Sequence, residues 1–273
     1  MIHIERKAQN AVKNVLSFIY FSGNICNMYK IDHLLNANEE VGVIMKDFYM
    51  DLHIHIGRTA SGKPVKITGS KTLTLHTILQ CASSQKGLDM IGVIDCHSPE
   101  VLVEIEGLLK RGEMIELAEG GLRFQETTLL LGSEIEVYDS YCHGPIHVLA
   151  YFPTVEKMKA FSDWMSNHVK NISLSSQRIY VEGRALQQKV YEYDGLFVPA
   201  HVFTPFKSLY GKGVKRSLTE VFDPNYIDAI ELGLSSDTQM VRNIKELQQY
   251  PFLTNSDAHS LGKIAREYQK LTL

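Results

Sequence analysis

The sequence predicts an α/β protein built from parallel βα units, and three observations lead to this fold class. The chain has 273 residues, of which 44% are hydrophobic, and this is enough for one sizeable core. From Asp47 onward, seven short β-rich runs alternate mostly with segments of helical periodicity. These runs are apolar on both faces, which favours a barrel or a doubly wound sheet with helices outside it.

Helical signals lie between several of the predicted strands. The stretch Thr74–Lys86 carries apolar residues at helical spacing and stops at Gly87. Ser98 and Pro99 form a helix start with serine as the N-cap, and Thr154 caps a third helix. The seven predicted strands are, in chain order, FYMDLHI, MIGVIDC, TLLLGSEIEVY, IHVLAYF, LFVPAHV, DAIELGL and PFLTNSD.

Residues 1–44 differ from the remainder of the chain, because their apolar pattern is irregular and shows no alternation of strands and helices. We therefore predict two parts, an N-terminal extension over 1–44 and a barrel domain over 45–273. The extension is interpreted either as a small appended helix or as upstream sequence included through a mistaken start codon, which would not be native.

Composition excludes several classes of protein. The formal net charge is −3 at pH 7, so the overall charge indicates neither a nucleic-acid nor a membrane partner, and any such surface must be local. The apolar stretch VLSFIYF is too short to span a membrane and lacks a convincing cleavage site, so secretion is not expected. No CxxC pair is present, which indicates reduced thiols in a cytoplasmic protein, and the cysteines are Cys26, Cys81, Cys96 and Cys142.

The strongest chemical signal is DLHIH, at the end of the first predicted strand. Residues two apart in a strand share a face, so His53 and His55 point the same way, as two ligands of one metal ion would. Asp51 lies on that face as well. An isolated HxH pair is explained equally well by a half-buried strand with two histidines, so the interpretation depends on the other strands.

Five further strand-linked segments carry histidine or carboxylate side chains. In a barrel of parallel strands the C-terminal strand ends form the active-site face, so these side chains would meet at one mouth. Glu134 follows an apolar run, where an unpaired buried carboxylate would be costly. The candidates in these segments are Asp95, His97, Glu134, His147, His201, Asp257 and His259.

Mixed imidazole and carboxylate ligands favour zinc, manganese or iron over calcium. One bridging carboxylate among several histidines indicates two or three divalent ions. Ions a few ångströms apart can hold a phosphate group and activate water, so the sequence predicts a hydrolase of phosphate esters. Such an enzyme needs no serine or cysteine nucleophile, and the chain contains neither a P-loop nor a GxSxG motif.

The motif set DLHIH, IDCH, GSEIEV, AHVFTP and NSDAH resembles the PHP (polymerase and histidinol phosphatase) superfamily. The resemblance runs from about Lys46 to Arg266 and implies a distorted (β/α)7 barrel with a trinuclear metal centre. Within the superfamily, DLHIHIGRT, KGLDMIGVIDC, PAHVFTPF, AIELGLSSD and NSDAHSLGKIAREY are most similar to the endonuclease Q family. That similarity implies a DNA repair nuclease that cuts 5′ to a deaminated base (uracil, hypoxanthine or xanthine) or an abasic site.

The resemblance also implies the ligand set. One ion is expected to be bound by four residues with a bridging glutamate, namely His53, His55, Glu134 and Asp257. The other ions are expected to be bound by Asp95, His147, His201 and His259. Of these eight residues, Asp257, Glu134 and His201 are expected to carry the reaction.

The second strand departs from the commoner pattern of the superfamily, in which an Asp-His pair follows the strand. Here Cys96 separates Asp95 from His97. We therefore expect His97 not to bind metal and Cys96 to be packed, and we take His143 as a spare candidate ligand.

Two basic loops, Gly57–Lys71 and His201–Arg216, follow ligand-bearing strands and contain no acidic residue. Phe203 and Phe206 are interleaved with the cations of the second loop. Basic side chains bind backbone phosphates and aromatic rings stack on unpaired bases, so a DNA surface is predicted here. Two solvated loops with packed aromatics are the alternative. The predicted DNA contacts are Arg58, Lys63, Lys66, Lys207, Tyr210, Lys212 and Arg216.

Damaged DNA is thus the expected partner, and contacts with replication or repair proteins are left open. Endonuclease Q-like proteins are longer and carry a cysteine-rich zinc element and a helical region. Nothing in the sequence matches either part, so a truncated gene product, a fragment or a minimal relative is expected. Two alternatives stay open, a small-molecule phosphatase of the histidinol-phosphatase kind and a non-catalytic metal-binding module.

Overall fold

The computed structural model describes residues 47–118 and 120–272. The predicted extension over 1–44 lies outside the described residues. Within them the chain has a mixed α/β fold around a nine-stranded sheet, which confirms the predicted α/β class, whereas closure into a barrel stays a prediction. None of the described helices is long and apolar enough to cross a membrane.

Strands and helices alternate along the chain. The strands are β1 (Asp47–Ile54), β2 (Met90–Val93), β3 (Ile115–Glu116), β4 (Leu122–Phe124), β5 (Thr127–Val137), β6 (Ile146–Phe152), β7 (Arg178–Ile179), β8 (Leu196–Pro199), β9 (Ile230–Glu231), β10 (Phe252–Leu253) and β11 (Gln269–Thr272). The α-helices are α1 (Leu75–Gln80), α2 (Pro99–Lys110), α3 (Val155–Ser166), α4 (Gly183–Glu192) and α5 (Thr238–Val241). Shorter helical turns cover Cys81–Lys86, Leu209–Gly213, Leu218–Glu220, Pro224–Tyr226, Lys245–Leu247 and Leu261–Lys263.

The seven predicted strands are all present, as β1, β2, β5, β6, β8, β9 and β10. The helix starts are also confirmed, since Thr74 and Thr154 each accept a hydrogen bond from the backbone amide three residues on. Gly87 ends the first helical segment in the left-handed conformation (φ 63°), which glycine adopts without strain.

The sheet is mixed rather than parallel. β1, β2 and β5 run parallel, whereas β6 is antiparallel to both of its neighbours, β5 and β8. The expectation of uniformly parallel units is therefore wrong at β6. β6 runs antiparallel to β5 because the connection 138–145 between them contains no helix. A connection this short can join adjacent strands only in the antiparallel direction.

Backbone hydrogen bonds continue from β8 round to β1. Val202 N donates to Glu231 O (3.0 Å), which links the end of β8 to β9, and Leu232 N donates to Leu253 O (2.9 Å), which links β9 to β10. His55 N donates to Ala258 O (3.1 Å), so the segment after β10 meets the end of β1. The ends of these strands therefore lie side by side.

Apolar side chains cover both faces of the sheet, as the sequence predicted. The larger cluster includes Ile54, Ile91 and Phe161 and packs the sheet against the helices. A second cluster, which includes Met50, Leu130 and other residues of β1, β2, β5, β6 and β8, lies on the opposite face. Among the described cysteines, Cys81, Cys96 and Cys142 are free thiols, and location in the cytoplasm stays a prediction.

Asp228, just before β9, offers a test of stability against pH. Burial raises its pKa to about 6, although it accepts a hydrogen bond from Phe197 N at 2.8 Å. Since the protonated form is favoured in the folded state, stability falls as pH rises from about 4 to 6. We expect Asp228→Asn, which keeps the acceptor oxygen, to raise the free energy of unfolding at pH 7 by about 1–2 kcal/mol, with little change at pH 4.

Urea denaturation at both pH values measures this gain. Asp89→Asn is the control, because Asp89 accepts a similar bond from Tyr49 N (2.8 Å) in a more exposed place. A gain of the same size at pH 4 and pH 7 would contradict the explanation.

Candidate metal centre

Imidazole and carboxylate side chains converge on Glu134, a buried residue in the middle of β5. They come from the ends of β1 and β8, the start of β6 and the segment after β10. Because β6 runs in the opposite direction, the start of this strand reaches the same place as the ends of its neighbours. The residues brought together are seven of the eight predicted ligands, namely His53, His55, Glu134, His147, His201, Asp257 and His259.

These residues form three adjoining groups, in each of which the ligand atoms lie within 4.8 Å of one another. The groups are His53–His55–Glu134, His55–Asp257–His259 and Glu134–His147–His201. Glu134 and His55 each belong to two groups. Shared ligands of this kind are what closely spaced ions require.

Distances within the cluster fit metal coordination. His53 Nε2 and His55 Nε2 each lie 3.4 Å from Asp257 Oδ1 and 3.6 Å from an oxygen of Glu134. Two atoms bound to one tetrahedral ion at about 2.1 Å are roughly 3.4 Å apart. Moreover, Nε2 of His53, His55 and His147 is buried without a hydrogen-bond partner in the part of the chain that the structure describes, which a ligated nitrogen would explain.

Two carboxylates behind the cluster orient the β1 histidines. Glu231 Oε1 lies 2.9 Å from His53 Nδ1, and Asp95 Oδ2 lies 3.2 Å from His55 Nδ1. Both contacts turn Nε2 of the histidine toward Glu134 and fix the ring, which is the usual arrangement behind a ligating histidine. Asp95, predicted as a ligand, also accepts from Ile56 N at 2.7 Å and is not a member of the three groups.

Glu231, at the end of β9, is a functional residue that the sequence interpretation missed. It is 1% exposed, and it accepts hydrogen bonds from His201 N (2.9 Å) and Asn255 Nδ2 (2.8 Å) besides contacting His53. Its signal was present, because a glutamate follows the apolar run of the sixth predicted strand. Glu231 thus joins three ligand-bearing segments.

The carboxylates of the cluster are held in their ionised form. Burial alone would raise the pKa of Glu134, but the charges of His147 and Lys66 outweigh it and hold this pKa well below its usual range. Burial is likewise outweighed at Asp257, whose pKa is lowered by His53 and His55. Burial alone would lower the pKa of His53 and His147, but the neighbouring carboxylates raise it, so a divalent ion bound here would displace protons from these rings.

Backbone strain is concentrated at this site. Ser176 (φ 54°), His201 (φ 31°), Lys207 (φ 54°) and Asp257 (φ 46°) adopt the left-handed region that L-residues rarely occupy. Such conformations persist only where the surrounding contacts hold them, and they are common at functional sites.

Gly233 supports one of these strained residues. It has φ 76°, and a Cβ atom at this position would lie 2.6 Å from Cβ of His201. We expect Gly233→Ala to lower the free energy of unfolding by about 2–3 kcal/mol and to weaken metal binding, since His201 must move. Urea denaturation and zinc titration measure both effects.

Gly112→Ala is the matched control. Gly112 has φ 71° but no atom within 4 Å of the added Cβ, so it reports the cost of backbone strain alone. Equal losses of unfolding free energy in Gly233→Ala and Gly112→Ala would show that the contact with His201 adds nothing to the cost of backbone strain.

A cavity of about 500 Å³ opens beside the cluster. Its lining includes Glu134, His201 and Asp257, the segment 174–177, and the two predicted DNA contacts Lys66 and Lys207. Lys66 reaches into the centre itself, with Nζ 3.1 Å from Glu134 Oε2 and 2.6 Å from Ser176 Oγ. Lys207 Nζ lies 2.9 Å from Glu136 Oε2, at the rim.

The other five predicted DNA contacts do not line this cavity. Arg58 donates to Gly62 O (2.7 Å), and Lys63 pairs with Glu100 (2.9 Å). The remaining three belong to the second basic loop: Tyr210 donates to Glu246 (2.9 Å) and stacks on Phe203, Lys212 lies over the Phe206 ring (5.1 Å), and Arg216 is exposed.

Several neighbouring residues have structural roles. Cys96 is buried and donates to Val93 O, which confirms that it is packed. His97 has both ring nitrogens near other groups, Ser133 Oγ and Leu174 O. The others also lie outside the three groups: His143 is 43% exposed beside Glu220, and Asp51 accepts from Ser256 N and Ala265 N.

Two crystal structures share this fold. The lesion-specific endonuclease PfuEndoQ from Pyrococcus furiosus superposes with a TM-score of 0.68, at 29% identity over 82% of this chain. The chain resembles endonuclease Q. A complex of endonuclease Q with a 27-mer duplex substrate, carrying an abasic lesion at the active site, superposes with the same TM-score over 83% of the chain. The predicted resemblance to endonuclease Q is therefore confirmed.

Two further proteins are similar to this chain in sequence. YqxK of Bacillus subtilis (strain 168) is 63% identical over 227 residues, which are 83% of this chain and 59% of that protein. MJ0043 of Methanocaldococcus jannaschii is 42% identical over 73 residues. No protein-family model matches the sequence. The chain spans 52% of the length of the Pyrococcus endonuclease Q.

Proposed function

We propose that this chain is a metal-dependent DNA repair endonuclease, or its catalytic domain, that hydrolyses the phosphodiester 5′ to a deaminated base or an abasic site. The observation that carries the proposal is the clustering of seven ligand-type side chains, Glu134 among them, beside an open cavity. The similarity to a lesion-specific endonuclease, and to one bound to a duplex with an abasic lesion, supports the choice of substrate.

The ligand groups support a centre of two or three divalent ions, zinc, manganese or iron. We assign one ion to His53, His55, Glu134 and Asp257, with Glu134 shared with a second ion held by His147 and His201. His259 completes a third position with His55 and Asp257. To Asp95 we assign the orientation of His55, because its carboxylate lies behind that ring.

When bound, such ions supply Lewis acidity to a phosphodiester and lower the pKa of a coordinated water. The chain's own cations bind the substrate beside them. Lys66 is held at the floor of the cavity by Glu134 and Ser176, from where its ammonium can donate to a phosphate oxygen. Lys207 at the rim can neutralise an adjacent phosphate.

We also propose that residues 45–273 form one distorted seven-stranded barrel. The hydrogen bonds that run from β8 through β9 and β10 to β1 support this closure. In such a barrel the cluster lies at the mouth where the ligand-bearing strand ends meet.

The decisive test uses the purified chain with Mn²⁺ or Zn²⁺ and duplexes that contain uracil, hypoxanthine, an abasic site or no lesion. We expect incision 5′ to the lesion, lowered at least 100-fold by Asp257→Asn and unaffected by Asp89→Asn. Hydrolysis of histidinol phosphate without incision would favour a small-molecule phosphatase. No turnover of either substrate by metal-loaded protein would indicate a non-catalytic module.

A further inference from the structure

A stack of one cation between two aromatic rings lies on the surface next to the cavity. It consists of Tyr138, Arg178 and Tyr180, and we call it the Tyr138–Arg178–Tyr180 stack. The Arg178 guanidinium lies 4.6 Å from the centroid of the Tyr138 ring and 5.4 Å from that of Tyr180. Tyr138 is 37% exposed and Tyr180 is 52% exposed. Arg178 also donates a hydrogen bond to the backbone oxygen of Tyr138, which holds the guanidinium beside this ring while both rings stay accessible to solvent.

Two paired strands, β5 and β7, connect the metal centre with the Tyr138–Arg178–Tyr180 stack. On β5, Glu134 lies in the centre, Glu136 contacts Lys207 at the rim, and Tyr138 follows just beyond the strand. β7 is parallel to β5 with Arg178 opposite Glu136. Residues two apart in a strand share a face, so these side chains form one row, roughly 13 Å long from Glu134 to Tyr138.

The segment before β7 also connects the metal centre with the stack. Ser176 Oγ donates to Glu134 in the centre, Gln177 lines the cavity, and Arg178 is the next residue. A DNA strand that leaves the cavity in this direction would therefore meet the Tyr138–Arg178–Tyr180 stack within a few nucleotides.

The charge of this surface suits a nucleic acid. Lys170 adds a second cation, 6.0 Å from the centroid of the Tyr180 ring. The adjacent carboxylate of Asp139 is engaged with the backbone amides of Tyr141 (2.8 Å) and Gly183 (2.7 Å). In the described part of the chain no salt bridge joins Arg178 or Lys170 to an acid, and both side chains are exposed.

We propose that the Tyr138–Arg178–Tyr180 stack binds unpaired nucleobases of a DNA strand that leaves the cavity. The inference rests on the proposed function for its ligand, DNA beside the cleaved bond. Every base has a π-face that can stack on tyrosine or guanidinium, so such a platform binds single strands without regard to sequence. An acidic peptide would use the two cations but gain little from two exposed rings, so the rings favour a base.

The test measures binding without cleavage. A fluorescein-labelled oligothymidylate of about twenty nucleotides is titrated with the full chain in EDTA, and anisotropy gives its Kd. We expect Tyr180→Leu and Arg178→Gln each to raise this Kd about tenfold. The Kd for a blunt duplex of the same length should change less than twofold.

Three controls accompany the variants. Tyr191→Leu removes another tyrosine, 68% exposed on α4 and remote from the cavity lining, and should leave both affinities unchanged. Tyr180→Phe keeps the ring and should bind as the unmodified chain does. Tyr180→Leu removes no charge, so it should not alter the slope of log K against log salt.

Unchanged oligothymidylate binding in Tyr180→Leu and Arg178→Gln would overturn the inference. Equal losses of affinity for the single strand and for the duplex would also overturn it, because they would indicate a surface that binds backbone phosphates rather than bases. Tighter binding of polyglutamate than of oligothymidylate would point to a protein partner instead. Cleavage is assayed separately: an unmodified chain that cuts no DNA contradicts the proposed function alone, whereas normal cutting with unaffected binding contradicts this inference alone.

Discussion

Glu134→Gln is expected to lower lesion-directed cleavage by about 1000-fold and to remove at least one metal ion per chain. Glu134, like His55, belongs to two of the three ligand groups. Glutamine has nearly the same shape but carries no charge and presents a single acceptor oxygen. The substitution therefore weakens two positions at once, and it also removes the carboxylate that holds Lys66 at the floor of the cavity.

Elemental analysis of the purified variant and single-turnover cleavage measure these two effects. Glu104→Gln is the matched control, because Glu104 is a half-buried glutamate that accepts from Ala60 N (2.6 Å) away from the cavity. Full metal content with full activity in Glu134→Gln would exclude the assigned centre. Full metal content with lost activity would show that Glu134 is not needed for metal binding and acts on the substrate or through Lys66.

Substitution of Glu231 should have the second largest effect. This carboxylate contacts His53 Nδ1 and accepts from His201 N and Asn255 Nδ2, all in a buried setting. We expect Glu231→Gln to weaken zinc binding by about 10–100-fold, because His53 loses the anion that orients it. We expect Glu231→Ala to lower the free energy of unfolding by about 3 kcal/mol as well, since several buried polar groups lose their partner.

Zinc titration against a chelator and urea denaturation separate these two effects. Glu220→Gln is the control, because Glu220 accepts hydrogen bonds from the backbone amides of Lys215, Arg216 and Ser217 and contacts none of the seven clustered residues. Unchanged zinc affinity in Glu231→Gln would show that His53 needs no support from this residue.

The sequence was sufficient to predict the seven main strands, the helix starts and the seven ligand-type side chains that cluster, because each is encoded locally. A strand shows its apolar run, a helix shows its cap, and a ligand follows its strand. The four remaining strands, β3, β4, β7 and β11, were not predicted, since each is short and none lies within an apolar run like those that contain β9 and β10.

The direction of β6 could not be read from its residues. An apolar run does not indicate whether its strand is parallel or antiparallel to the neighbouring strand. In a parallel sheet His147, at the start of β6, would lie at the opposite end of the sheet from the other candidate ligands. Asp95 and Glu231 illustrate a second limit. A carboxylate at a strand end can bind metal or orient a ligand, and only the distances to His55 and His53 distinguish the two.

The reversal of β6 also affects the order in which the centre assembles during folding. It makes β5 and β6 a hairpin, in which Glu134 and His147 are only 13 residues apart in sequence. By contrast, the contact of Leu52 with Asn255, which brings His53 toward Asp257, spans 203 residues. Closing a short loop costs less entropy than closing a long one. We therefore expect the contacts on the hairpin to form early in folding, and the contacts that need both β1 and the segment after β10 to form last.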